Sequence, residues 1–79
     1  MKITTDFYHG LKIEIAEALY VWMEKNKLSK AKAAKILGFS RPYIYEILNG
    51  KRNFSLKSLC EMMAKIGMEP VLTFKEAKP

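Results

Sequence analysis

Apolar residues recur at helical spacing through most of the chain and lose that period only near its two ends. From about Leu11 to Asn26, the residues Leu11, Ile15, Ala18, Leu19, Trp22 and Met23 fall on one stripe, which predicts an amphipathic helix with Leu11 and Trp22 in the core. Ile13 and Tyr20 lie off that stripe. Ser29 then stands where a side-chain oxygen can accept the orphan N–H bonds of a first turn, and Ala31, Ala33, Ala34, Ile36 and Leu37 make a second, small-residued helix. Gly38, which adopts positive φ without a Cβ clash, ends it. Ser40 caps a third helix, 40–48, with Pro42 in the first turn where a missing N–H costs nothing. Its inward stripe is Ile44, Ile47 and Leu48; its other side carries Arg41, Tyr43, Tyr45, Glu46 and Asn49, a varied polar set for so short a surface. Ser55 caps a fourth helix running to about Ile66, with Leu56, Leu59, Met63 and Ile66 inward and Cys60 and Met62 beside them. Gly67 and Met68 supply its C-cap and the apolar contact that accompanies one.

The ends read differently. Ile3-Thr4-Thr5 is β-prone and leaves a short strand open as a reading of residues 1–8, with Asp6 able to cap the helix that follows. At the other end Glu69-Pro70 breaks any helix, and Val71-Leu72-Thr73-Phe74-Lys75 is strongly β-prone. A lone strand cannot satisfy its own backbone, so this one pairs with residues 3–5, with the same strand of a second copy, or stays a loosely ordered tail. Residues 76–79 are expected to fray.

Seventy-nine residues allow one domain, 1–79, with a core small enough that stability is marginal or aided by association. At 49% hydrophobic and 28% charged the chain is globular and not disordered. No apolar run is long enough for a bilayer, so no membrane partner is expected, and the N-terminus lacks the layout of a secretion signal, so a cytoplasmic protein is expected. Cys60 has no second cysteine for a disulfide, which agrees with a reducing compartment, and reads as a small packed hydrophobe. His9 is the only histidine, the acidic residues are scattered, and no Gly-rich phosphate loop is present. No catalytic residue, metal site, cofactor or small-molecule substrate is therefore expected, and the chain is not read as an enzyme.

Charge sharpens the picture by its position. The chain carries a formal +6, but residues 25–57 hold nine bases (Lys25, Lys27, Lys30, Lys32, Lys35, Arg41, Lys51, Arg52, Lys57) against the single acid Glu46. A basic zone that coincides with the second and third helices suits a phosphate backbone, with a merely solvated surface as the plainer alternative.

The register of Lys30, Ala34, Gly38, Phe39, Ser40, Ile44, Asn49-Gly50-Lys51 and Asn53-Phe54-Ser55-Leu56 resembles the helix-turn-helix of the phage Cro and repressor family, the Xre-type or lambda-repressor-like regulators. The resemblance covers roughly 11–67. It implies a mainly α, compact four-helix domain with core 11–67 and a C-terminal strand or tail, 69–79. It also implies double-stranded operator DNA as partner, with helix 40–48 in the major groove, where all four base-pair orientations show distinct patterns. Carried over residue by residue, base contacts fall to Arg41, Tyr43, Tyr45 and Glu46, with Arg41 able to donate twice to guanine and with one of the two tyrosines resting on the core as the alternative for that residue. Glu46 either accepts from a cytosine amino group or forms a salt bridge that aims Arg41 or a nearby lysine. Backbone contacts fall to Ser29, Lys30, Ser40, Asn49, Lys51, Arg52, Asn53 and Ser55, while Lys25, Lys27, Lys32 and Lys35 act as steering charges. Relatives that end in a β-prone segment use it to dimerise, which implies a homodimer through Val71, Leu72, Thr73 and Phe74. Two positions depart from the family: Lys30 replaces a frequent glutamine, and Pro42 replaces a polar base reader, which shifts weight toward DNA shape. The implied roles are a dimeric repressor in a bacterial or phage-infected cell, with autoregulation of its own operon as one form, or an antitoxin that also binds a cognate toxin. A helical module whose basic face binds an acidic protein is the unlike alternative.

Overall fold

The computed structural model describes residues 2–71 and 73–76, the first five of these by their backbone alone. They form four helices: α1 (Lys2–Lys25), α2 (Lys30–Leu37), α3 (Arg41–Leu48) and α4 (Leu56–Lys65). The three serines expected to start helices do so. Ser29 Oγ accepts from the Lys32 N–H at 3.1 Å, Ser40 Oγ from Tyr43 at 3.3 Å and Ser55 Oγ from Ser58 at 3.1 Å. Each such cap stabilises its helix by about 1 kcal/mol, a large share for elements of only eight to ten residues.

All four helices end with the same device. An amide two or three residues past each helix reaches back five residues, in Leu28 N–H to Met23, Phe39 to Ala34, Lys51 to Glu46 and Met68 to Met63, each at 2.8 Å. Gly38 meets the required backbone, φ +75°, with no side chain to strain. At the end of α1 the same role falls to Lys27, φ +53°. Leu28, Phe39 and Met68 then turn inward onto the core, but the equivalent residue after α3 is the exposed Lys51. The segment leaving α3 is thus held by something other than an apolar anchor in that position.

The core is formed by Leu19 and Met23 of α1, Ala33, Ala34 and Leu37 of α2, Ile44 and Ile47 of α3, and Met62, Met63 and Ile66 at the end of the chain's last helix. α3 packs against both α1 and α2. Ala33 and Ala34, both buried, let the backbones of α2 and α3 approach closely, which is why small residues stand there. Lys65 ties the far side: its Nζ donates to the Leu37 carbonyl at 2.9 Å, satisfying an orphan acceptor of α2 with a cation.

Several expectations are corrected. Residues 3–5 are helical, so the open strand reading of the N-terminus does not hold, and Asp6 lies inside α1 and not at its cap. A helix satisfies its backbone internally, whereas a strand there has no partner ladder. Leu11 is 49% exposed and Leu56 74% exposed, so neither belongs to the core. Trp22 is half-buried against it. α4 is rotated from the expected stripe: Met62 is buried, while Cys60, one turn after Leu56, shares its open side and is exposed. Among the described residues no strand forms, and Val71 and Phe74 stand 81% and 87% exposed. With residues 3–5 helical, the intramolecular pairing is gone. Leu72 of the expected strand and residues 77–79 of the expected frayed end lie outside the described residues.

Candidate nucleic-acid interface

α3 is short, and its burial divides it cleanly. Ile44 and Ile47 are buried and Tyr43 and Leu48 half-buried; Arg41, Pro42, Tyr45, Glu46 and Asn49 are exposed. Those five recur at i, i+1, i+4, i+5 and i+8, which places them on one helical face directly opposite the core. The side that a ligand meets is therefore a continuous strip whose only contribution from Pro42 is shape.

Arg41 opens that strip. It lies at a depression between the start of α2 and the first turn of α3, bordered by Leu28, Ser29, Lys30, Ala31 and Tyr45. Lys30 Nζ sits 4.8 Å from the centre of the Tyr45 ring, so two cations flank one exposed aromatic. The N-termini of α2 and α3 thus present positive charge together, reinforced by the amide dipoles of two first turns.

Of the two tyrosines of α3, Tyr43 is the one that rests partly on the core. Its ring stacks on Phe39, centroids 4.4 Å apart with planes at 28°, and its other neighbour is the Arg52 guanidinium, 4.2 Å from the ring centre. Arg52 Nη1 in turn donates to Glu46 Oε1 at 3.0 Å. Of the two readings of Glu46, the free chain adopts the salt bridge, and its partner is Arg52, not Arg41 or a lysine. The Tyr43 side chain first, and then the Glu46 carboxylate, favour the charged guanidinium and raise the Arg52 pKa above its ordinary value. The pair is about half exposed, so solvent screens it and its strength is modest.

Asn53 is also occupied. Its Oδ1 accepts from the Tyr8 hydroxyl and from Lys12 Nζ at 3.4 Å, both on α1, and Lys12 lies 4.7 Å from the Tyr8 ring centre. These contacts, with the half-buried Phe54 against the core, hold the segment between α3 and α4. The structure therefore groups the sequence-derived residues in two ways. Ser29, Lys30, Ser40, Arg41, Tyr45, Asn49 and Lys51 are exposed around the N-termini and outer strip of α2 and α3. Tyr43, Glu46, Arg52 and Asn53 instead bond to one another or to α1, and Ser55 caps α4. Residues missed as participants are Phe39, which carries Tyr43 from four residues before it, and Tyr8 and Lys12, which carry Asn53 across 45 and 41 residues, pairs that no local signal in the sequence marks.

Among the described residues no three His, Cys, Asp or Glu side chains are placed to hold a metal, and no helix is long and apolar enough to cross a membrane. No curated protein and no solved structure matches the chain. A family model described as a helix-turn-helix domain matches residues 6–71, most of the chain, and with a buried, glycine-turned pair of helices presenting one polar strip, this suggests DNA as the partner. The chain belongs to the helix-turn-helix domain family.

Proposed function

We propose that this chain is a sequence-specific transcriptional regulator of the Cro and repressor type, acting as a homodimeric repressor on a palindromic operator. The observation that carries the reading is the exposed strip Arg41–Pro42–Tyr45–Glu46–Asn49 on a helix whose opposite side packs on the core through the buried Ile44 and Ile47. α3 has eight residues, about 12 Å of helix, which fits the major groove and spans about three to four base pairs. Arg41 offers the bidentate fork suited to guanine, and Lys30 and Lys51 flank it for phosphates. So small a reading head gives little discrimination alone, and two copies on one duplex remedy that. Their recognition helices then lie about 34 Å apart, so the operator is an imperfect palindrome. Dimerisation falls to the segment with Val71 and Phe74, whose apolar side chains stand exposed among the described residues. Bound over a promoter, such a dimer represses by occlusion and needs no enzymatic chemistry; the cytoplasm is its place of action.

A second reading, an antitoxin that binds its toxin and represses its own operon, is favoured by the apolar surface away from the strip. A 560 Å³ groove between α1 and α4, lined by Leu11, Ile15, Leu59 and Met63, opens beside Val71.

The test is to incubate the protein with sheared DNA of its source at about 0.15 M salt and to sequence what it retains. Enrichment of a palindrome with half-sites one helical turn apart supports the dimeric repressor; a site upstream of its own coding sequence beside a toxin reading frame favours the antitoxin. Binding without enrichment that vanishes as salt rises refutes both and moves the protein-interaction module forward.

A further inference from the structure

We infer that Glu46 is a positioning residue for DNA recognition: it holds Arg52 on the Tyr43 ring so that the guanidinium grips one backbone phosphate only when α3 sits in the correct register. The inference rests on the DNA-binding reading above and adds to it a role for the one acid in an otherwise basic zone.

A carboxylate on a surface that meets phosphates is costly, and simple electrostatics would have it replaced. Here it is engaged. Arg52 Nη1 donates to Glu46 Oε1 at 3.0 Å, the guanidinium carbon Cζ lies 4.2 Å from the Tyr43 ring centroid, and Tyr43 stacks on Phe39 at 4.4 Å. Phe39 belongs to the turn before α3, Tyr43 and Glu46 to α3, and Arg52 to the segment after it. The stack therefore joins three consecutive pieces of chain at one edge of the recognition helix. It does so at the one helix end where the inward apolar residue is missing and Lys51 stands in its place. Arg52 remains about two-fifths exposed, and a guanidinium has five N–H donors, so donors are left over for an external acceptor. A guanidinium already ordered against Tyr43 and Glu46 loses less rotamer freedom on contacting a phosphate than a free arginine does. Because its position is tied to α3, that gain is collected only when the helix is seated in the register that brings a phosphate to it. On mismatched DNA the helix sits elsewhere and the preorganised group gains nothing.

The consequence separates positioning from charge. Removing a negative charge by Glu46→Gln should, on charge alone, tighten binding to every duplex. On the present inference it loosens Arg52, so affinity for the enriched site falls about threefold to tenfold while affinity for a scrambled duplex holds or rises. Arg52→Lys keeps the charge but loses the planar fork and the stack, and lowers the same ratio. The double variant falls no further than the worse single one, because the two residues act as a unit. The experiment measures dissociation constants of the wild type and the three variants for the enriched site and its scramble at fixed salt, with melting curves alongside. A reduced ratio with unchanged melting and a non-additive double variant supports the inference. An unchanged ratio, fully additive losses, or equal weakening on both duplexes accompanied by lower melting overturns it. A wild type with no preferred site overturns the regulator reading and this inference together, which distinguishes that failure from the others.

Discussion

Gly10 and Gly38 offer the sharpest test of the backbone, because one substitution made at both should change stability in opposite directions. Gly10 lies inside α1, Gly38 at the end of α2 with φ +75°, and a Cβ added at either meets nothing within 4 Å. Sterics with neighbours therefore drop out. Replacing Gly by Ala reduces the freedom of the unfolded chain equally at the two sites, so the difference between the variants isolates the native backbone. In α1 alanine is favoured over glycine by about 1 kcal/mol. At Gly38 an L-residue in the left-handed region costs about 1–2 kcal/mol, of which the unfolded-state term returns about 0.4–1. The expected outcomes are Gly10→Ala more stable by about 1 kcal/mol and Gly38→Ala less stable by about 1, a separation of roughly 2. In a domain of this size each kcal/mol moves the melting temperature by about 4–8 °C. Far-ultraviolet circular dichroism in urea and on heating reads this directly, provided the urea slope is common to all three proteins. Shifts of the same sign would refute the assignment of the Gly38 turn. An unchanged Gly10→Ala would place the start of α1 after residue 10 and restore the shorter first helix expected from the sequence.

Three further outcomes follow from packing and charge. Ile44→Ala, at a side chain with no exposure, should cost about 2–5 kcal/mol, which for a core this small removes most of the helical signal at 25 °C. Arg41→Ala should leave the melt unchanged but lower discrimination between the preferred site and single-base variants by about 1–3 kcal/mol at one position, read by competition binding. Lys65→Met, which removes the 2.9 Å bond to the Leu37 carbonyl and the cation 5.7 Å from the Phe39 ring, should destabilise by about 1 kcal/mol in urea; a neutral result would remove Lys65 from the account of how α4 holds α2.

What was legible in the sequence was whatever a short window decides. Ser29, Ser40 and Ser55 cap through bonds three residues long, and Gly38 turns within one residue, so their signals sit beside their effects. Periodicity gave the helices but not their rotation. Leu11 and Leu56 share spacing with core residues, yet they sit where α1 and α4 diverge into the groove they line, a fact of packing that no single helix contains. The start of α1 was missed because β-prone residues count for little where a helix can simply extend and a strand has no neighbour. The site divides the same way. The exposed strip of α3 follows from its own period, whereas the partners of Glu46 and Asn53 depend on how the following segment folds back, over 45 residues in the case of Tyr8 and Asn53.

The nine bases of residues 25–57 overstate how many phosphates one copy can hold, and helix geometry says by how much. Along α2, Lys32 and Lys35 lie about 200° and 140° around from Lys30, so a duplex that meets Lys30 beside Tyr45 has those two behind it. Lys25 is the last residue of α1, Lys27 lies in the turn after it, and Lys57 belongs to the first turn of α4. The bases that can close on one duplex together are Lys30, Arg41 and Lys51, joined by Arg52 when its leftover donors are used. With Arg41 on a base, two or three phosphate contacts per copy predict a slope of log affinity against log salt of about −2 to −3, near −4 to −5 for a dimer, where nine would give about −8 for each copy. The remaining charges act at a distance, raising the rate of encounter without being released counterion by counterion. A measured slope of about −2 to −3 per copy that weakens by about one in Lys51→Ala and does not move in Lys35→Ala would place the contacts where this geometry puts them. An equal loss at Lys35 would mean that the duplex lies across a different face of α2 and that the strip on α3 is not what it meets.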